Sequence, residues 1–342
     1  MLDVTRLPDK PPVKLVKIVS TARGWGGAGR SVTTIMRLLL ERGHQVEFIP
    51  FRHQISSGEW QGCLRNGLKA VQVTTSFDTL REPCDTLLVY ADDFVWEFPK
   101  MEEAFSGLNA KRKVMMLNYR RGKVGELPWT QGWDRYMFLN SNQERELLAA
   151  LPGVATQVLP PCTDLTPFFA VEPRYDAPIR VVRHNSQGDT KFCKDAADQE
   201  RVKTEIATAL SRPDLEISML PGPGFVPAGE RFFKVNRTGD AGRIADFLST
   251  GSLFWYSLPE GYLDMGPRVI LEAMAAGLPI LADPWGGAVD RVTPECGWLV
   301  PKAEQLEILS RVTPEELAQK GRAARERARA EFVPERWLEA LV

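Results

Sequence analysis

The chain has 342 residues, 44% hydrophobic and 25% charged, with a formal net charge of −1. This is ordinary globular composition, and it excludes a fibrous or low-complexity protein and any global demand for nucleic acid or an anionic membrane. The length exceeds a single core of about 150 residues, so two domains are expected.

The charge is mildly split. Residues 1–170 hold 21 Lys+Arg and 18 Asp+Glu; subtracting from totals of 43 and 44 leaves 22 and 26, so the halves carry +3 and −4. Five scattered cysteines (Cys63, Cys84, Cys162, Cys193, Cys296) contain no CxxC pair. Free thiols in a reducing compartment are expected, and a structural zinc site is not. No apolar run approaches the roughly 18 residues of a membrane span, and no signal peptide precedes Val13, so a cytoplasmic location is expected.

Val13–Ser20 alternates and is rich in β-branched residues, which predicts a first strand. Gly24-Trp-Gly-Gly-Ala-Gly29 reads as a turn. Arg30–Arg42 follows with Val32, Ile35, Met36, Leu39 and Leu40 at helical spacing. Val46–Pro50 predicts strand two, and residues 86–90, 114–117, 136–139 and 157–159 predict further short strands with helical patterns between several of them. Such alternation implies a parallel sheet with helices on both faces.

Pro160-Pro161 and the segment Glu172–Pro178 interrupt the pattern, and the domain linker is placed there. Strands resume at residues 179–183, 216–220, 252–256, 279–282 and 297–300, with helices over 194–210, 241–248, 269–276 and 314–329. Each half is a doubly wound unit, which places a binding crevice at the strand C-termini.

The densest signal is Ser257–Gly287. Gly266-Pro267 opens a helix, with Pro suited to a first position that needs no N–H. Gly277 reads as its left-handed cap. Residues 279–283 form a buried strand, and Trp285-Gly286-Gly287 a tight turn. A free helix N-terminus is an anion site. Asp264 before it and Glu272 within it can accept hydrogen bonds from hydroxyls, so phosphate lies between two hydroxyl-bearing ends, as in a nucleotide sugar.

Asp264-x7-Glu272, followed by EAMAAGLPILA and Gly286-Gly287, resembles the E-x7-E region of family 4 retaining glycosyltransferases. The resemblance implies a GT-B fold, α/β, with two Rossmann-like doubly wound domains facing a central cleft. It implies an acceptor-side domain over 1–172, a nucleotide-sugar domain over 173–320 and a C-terminal helix over 321–342 that packs back on the first. By it, Glu272 binds ribose, Asp264 contacts the donor sugar, and Gly266, Pro267, Arg268 and Val269 line the donor. Arg183 and Lys191, after the first strand of the second half, resemble the pair that grips the donor diphosphate. The implied enzyme is a hexosyltransferase that needs neither metal nor cofactor and takes a UDP- or GDP-linked sugar as co-substrate. Two departures are Asp264, one methylene shorter than Glu, and Gly266-Pro267 where the family often has Phe-Gly.

Gly24, Gly26 and Gly29 form a literal GxGxxG after a strand. Strand two ends in Phe48-Ile-Pro-Phe-Arg52, without the acidic residue a dinucleotide site needs. By the resemblance, Gly26, Gly27, Ala28 and Gly29 shape the acceptor side opposite the diphosphate. Asp92 and Asn118 follow predicted strands, and either is a candidate for the position of a histidine that many relatives carry. Arg120, Arg121 and Lys123, with Lys111–Lys113 and nearby tryptophans, form a basic segment suited to an anionic acceptor. The acceptor is open among glycan, lipid, small molecule and DNA; a phage-type DNA glycosyltransferase and a non-catalytic nucleotide or sugar binder are the alternative readings.

Overall fold

The computed structural model describes residues 12–20, 27–50, 68–91, 101–118, 130–185, 188–235 and 241–342. The chain divides into two compact units. The first holds Met1–Met137, Ala149–Gln157 and Trp337–Val342, and the second Phe138–Leu148 and Val158–Arg336.

The first unit is built on β1 (Leu15–Ser20), β2 (Gln45–Pro50), β3 (Gln72–Val73), β4 (Cys84–Ala91), β5 (Ala110–Leu117), β6 (Arg135–Phe138) and β7 (Ala155–Val158), in the order β3-β2-β1-β4-β5-β6-β7. β1 pairs in parallel with both β2 and β4. Residues 86–91 of β4 are all buried, as expected for a strand covered on two faces. α1 (Gly27–Glu41) buries Val32, Ile35, Met36 and Leu39, and Gly43 follows it at φ 81°. Its first turn is Gly27-Ala-Gly29, so these residues belong to the helix and not to the turn the sequence suggests. α2 (Met101–Ala104) is a single turn.

Lys17 sits in the middle of β1 at 1% exposure. Its ammonium lies 3.3 Å from Glu47 and donates to the Thr79 hydroxyl at 2.9 Å. A buried charge of this kind persists only when paired and hydrogen-bonded. Trp337 stacks on Tyr90 with centroids 6.2 Å apart, and the Thr86 hydroxyl donates to the Leu341 carbonyl at 2.8 Å.

The second unit contains α3 (Ser141–Leu147), α4 (Thr166–Phe169), β8 (Ile179–His184), α5 (Ala196–Ala209), β9 (Leu215–Leu220), β10 (Phe232–Lys234), α6 (Ala241–Leu248), β11 (Leu253–Tyr256), α7 (Arg268–Ala275), β12 (Ile280–Ala282), β13 (Gly297–Leu299), α8 (Lys302–Arg311) and α9 (Pro314–Glu331). α10 (Glu335–Leu341) runs on into the first unit. The sheet order is β10-β9-β8-β11-β12-β13, with neighbouring strands parallel.

Strand alternation splits the core in two. Phe254, Tyr256 and Ile280 face a layer with Leu248 of α6, Leu271 and Met274 of α7 and Ala324 of α9. Leu253, Trp255 and Leu281 face the other way, onto Val202 and Ile206 of α5 and Ile308 and Leu309 of α8. The strand order reverses between β8 and β11, which is where an open α/β sheet places its ligand.

The units separate at Gln157/Val158, beside Pro160-Pro161 and ahead of the expected 172/173 limit, because Leu165, Phe168 and Val171 are already part of the second core. The expected break at 320/321 falls inside α9, a continuous helix capped by Thr313 and opened by Pro314. α9 crosses α7 at Gly321, where a Cβ would lie 2.2 Å from the Gly277 carbonyl oxygen and 2.3 Å from the Tyr175 hydroxyl. Helix propensity alone would favour Gly321→Ala by about 1 kcal/mol. The clash is with backbone and outweighs it, since overpacking costs about 1–3 kcal/mol. Gly321→Ala is therefore expected to lower the melting temperature; a rise would show that the two helices separate freely there.

Candidate active site

The last residues of β8 and β11 meet at the reversal point. Arg183 is 3% exposed. One terminal guanidinium nitrogen donates to the Ser257 carbonyl and the other to the Lys191 carbonyl. The plane lies 4.1 Å from the centre of the Phe192 ring. Its Nε has no hydrogen-bond acceptor among the described residues, and burial pushes its pKa down to about 10. Arg183 thus spends both ends of its fork on backbone and fixes the turn that carries Lys191.

That turn, Gly188–Lys191, is a single 3₁₀ turn, and Asp189 accepts from the Gly224 N–H at 2.8 Å. The Lys191 ammonium forms an ion pair with Asp264 and reaches the Tyr256 hydroxyl at 3.3 Å. Tyr256 donates to Asp264 Oδ2 at 2.5 Å. Burial would raise the Asp264 pKa, but the Lys191 charge and the hydrogen bonds from Lys191 and Tyr256 outweigh it and hold it below the ordinary carboxylate value. Burial and the neighbouring Asp264 carboxylate raise Tyr256 well above a free phenol.

The sign for stability follows. A depressed carboxylate contributes above its unfolded pKa, about 3.9, and that contribution is lost as pH falls through the lower folded value. Asp264→Asn is expected to flatten the acid limb of the stability–pH profile of this unit below about pH 4, measured by denaturant unfolding. An unchanged limb would show that the pair does not hold the loop.

Residues 264–267 are pinned from two sides. The Asp264 carbonyl accepts from the Gly287 N–H at 2.8 Å, and the Met265 carbonyl accepts from Asn140 Nδ2 at 3.0 Å. A Cβ on Gly287 would lie 2.3 Å from the Met265 carbonyl oxygen, which explains the second glycine of Trp285-Gly286-Gly287. Gly286 holds φ 62°. Pro267 is the residue before the helix, and Arg268 is its first residue, one later than the sequence suggests. No side chain caps this end.

Within α7, Glu272 is 2% exposed. Its Oε1 lies 3.0 Å from Arg268 Nε and its Oε2 3.2 Å from His184 Nε2, an ion-pair distance when the imidazole is protonated. His184 and Arg291 are the residues sequence reasoning missed. Arg291 is 1% exposed and donates to the Gly287 and Leu139 carbonyls; burial pushes its pKa down to about 10. Neither it nor Arg183 makes an ion pair among the described residues. Four basic side chains (Arg183, Lys191, Arg268, Arg291) stand around Asp264 and Glu272, with Asp283 and Asp290 also acting on Arg183 and Arg291.

Arg183, Lys191, Asp264, Glu272, Gly266, Pro267, Arg268 and Val269 all belong to this one assembly in the second unit. Asn118 lies in the first unit at the end of β5, its N–H bonded to the Ala91 carbonyl at 2.9 Å. Gly27, Ala28 and Gly29 open α1, while Gly26, Asp92, Arg120, Arg121 and Lys123 lie outside the described residues. Among the described residues no helix is long and apolar enough to cross a membrane.

No protein-family model matches the chain, and no curated protein matches it by sequence. Solved structures do match in fold. Anabaena HepE, solved with UDP and glucose, superposes with a TM-score of 0.69 at 14% identity, over 96% of this chain and 99% of that one. HepE has also been solved with UDP-glucose. WaaB, a lipopolysaccharide outer core galactosyltransferase, gives 0.65 at 12% identity over 96% and 99%. TarM gives 0.66 at 10% over 97% and 99%. The chain has the GT-B fold, two Rossmann-like α/β units that account for nearly its whole length.

Proposed function

We propose that the protein transfers a sugar from a nucleoside diphosphate sugar to an acceptor hydroxyl. The observation that carries this is the convergence of Lys191 with the buried Arg183 and Arg291 near the reversal point, beside the uncapped start of α7. A diphosphate can pair with the Lys191 ammonium, and a helix N-terminus adds partial positive charge. Solved neighbours holding UDP with glucose and UDP-glucose support a uridine donor, with GDP-linked sugars next.

Donor phosphate displaces Asp264 from Lys191, whose ammonium then stabilises charge growing on the leaving diphosphate. Freed from the ion pair, Asp264 accepts from sugar hydroxyls, and Glu272 accepts from ribose. Arg183 acts by holding Lys191 in place. With a retaining outcome, as the motif resemblance implies, the acceptor hydroxyl attacks from the face the diphosphate leaves. Its proton passes to the departing phosphate oxygen, so this scheme uses no protein nucleophile and no metal.

A thermal-shift screen across UDP, GDP, ADP and their sugars tests the reading. Ligand at 100 times Kd stabilises by about 2.7 kcal/mol, a shift of several degrees. At least one nucleoside diphosphate is expected to give it, and the anomeric proton coupling of the product sugar then reports retention. A screen in which no nucleotide shifts the melting point would refute the donor site.

A further inference from the structure

A cavity of about 470 Å³ lies in the second unit between the first turns of α5, the loop after β11, Trp285 after β12 and the start of α8. Asp198, Arg201, Glu260, Leu263, Trp285 and Lys302 line it, and none of Lys191, Asp264 or Glu272 does. The volume is within the usual range for small-molecule sites.

Its charge argues against an anion. Arg201 is held by Asp198 at 3.1 Å and Glu205 at 2.5 Å. Lys302 is held by Asp283 at 3.2 Å and by the Ser257 hydroxyl at 2.7 Å. Lys194 donates to the Glu260 carbonyl at 3.0 Å, and the Glu260 side chain is exposed. Counting these groups, three cations (Lys194, Arg201, Lys302) stand beside four carboxylates (Asp198, Glu205, Glu260, Asp283). Arg201 and Lys302, the cations that line the cavity, are each paired with a carboxylate, and carboxylates outnumber cations, which disfavours phosphate.

Its walls argue for a ligand with an apolar face and a hydroxylated rim. The half-buried Trp285 indole offers a broad amphipathic surface. Leu263 keeps 40% of its surface exposed beside it. Carboxylate acceptors and guanidinium and ammonium donors surround both. A sugar ring presents C–H groups on its face and hydroxyls, which both donate and accept, around its edge. We propose that this cavity binds a neutral saccharide, separately from the donor phosphate machinery.

Saturation-transfer NMR tests this with neutral methyl glucosides, galactosides and mannosides, maltose, cellobiose and lactose, with glucuronate as the anionic control. The readout is binding, so the result stands apart from whether nucleotide-sugar transfer is the activity. At least one neutral sugar is expected to bind, and glucuronate at least fivefold more weakly than glucoside. Trp285→Ala is expected to weaken that binding at least tenfold, and Glu260→Ala, at an exposed position the fold tolerates, at least threefold. Lys191→Ala is expected to leave it unchanged. The proposal is overturned if no sugar in the panel binds, if glucuronate binds equally, or if binding is lost in Lys191→Ala and kept in both cavity variants.

Discussion

Replacing Lys191 by alanine is expected to lower kcat/KM at least 100-fold and to weaken nucleoside diphosphate binding. One preorganised donor to developing charge is worth about 10²–10³ in rate, or roughly 3–4 kcal/mol. Arg183 and Arg291 hold backbone carbonyls and Arg268 pairs with Glu272, whereas the Lys191 ammonium pairs with Asp264, which donor phosphate can displace. The substitution also strips Asp264 of its counter-charge. The Asp264 side chain is only 15% exposed, and breaking such a pair costs about 3–5 kcal/mol when one charge is left behind. Lower activity in the single variant therefore mixes lost chemistry with lost stability.

The double variant Lys191→Ala/Asp264→Asn separates them. It removes the orphaned charge while Tyr256 keeps a hydrogen-bond partner, so stability is expected to return and turnover is not. A double variant that regains turnover together with stability would reduce the pair to a structural strut and leave the diphosphate without its cation.

Much of this fold is visible in local pattern. Alternating β-branched runs mark β1 and β2, and Val32, Ile35, Met36 and Leu39 mark α1, because periodicity needs only near neighbours. The Asp264–Glu272 stretch is legible for the same reason, down to the left-handed Gly277 at φ 82°. What stayed hidden depends on partners far along the chain. Lys17 reads as a solvated strand residue until Glu47 and Thr79 close over it. Arg183 reads as a phosphate ligand until Ser257 claims it, and Arg291 has no local signature because its partner Leu139 lies 152 residues away. Likewise, of the two proline-rich breaks only Pro160-Pro161 lies near the limit between units, just after Gln157, since α4 already packs into the second core.

Glu272 offers the second large effect, and the choice of substitution decides what it teaches. Glu272→Ala leaves Arg268 without its counter-charge beside a buried void, which costs about 3–5 kcal/mol and confounds any assay. Glu272→Gln preserves volume and one acceptor oxygen but removes the charge. It is expected to lower kcat/KM about 100-fold, mainly through the donor KM, because a ribose contact is made equally in ground and transition states. Fold loss alone would lower the active fraction and leave KM unchanged. The sharper measurement pairs the variant with a changed ligand. If Glu272 accepts from ribose, 2′-deoxy-UDP should bind the unmodified protein more weakly than UDP, and this difference should shrink in Glu272→Gln. Equal discrimination by both proteins would place the ribose elsewhere and leave Glu272 as the counter-charge that fixes Arg268 behind the site.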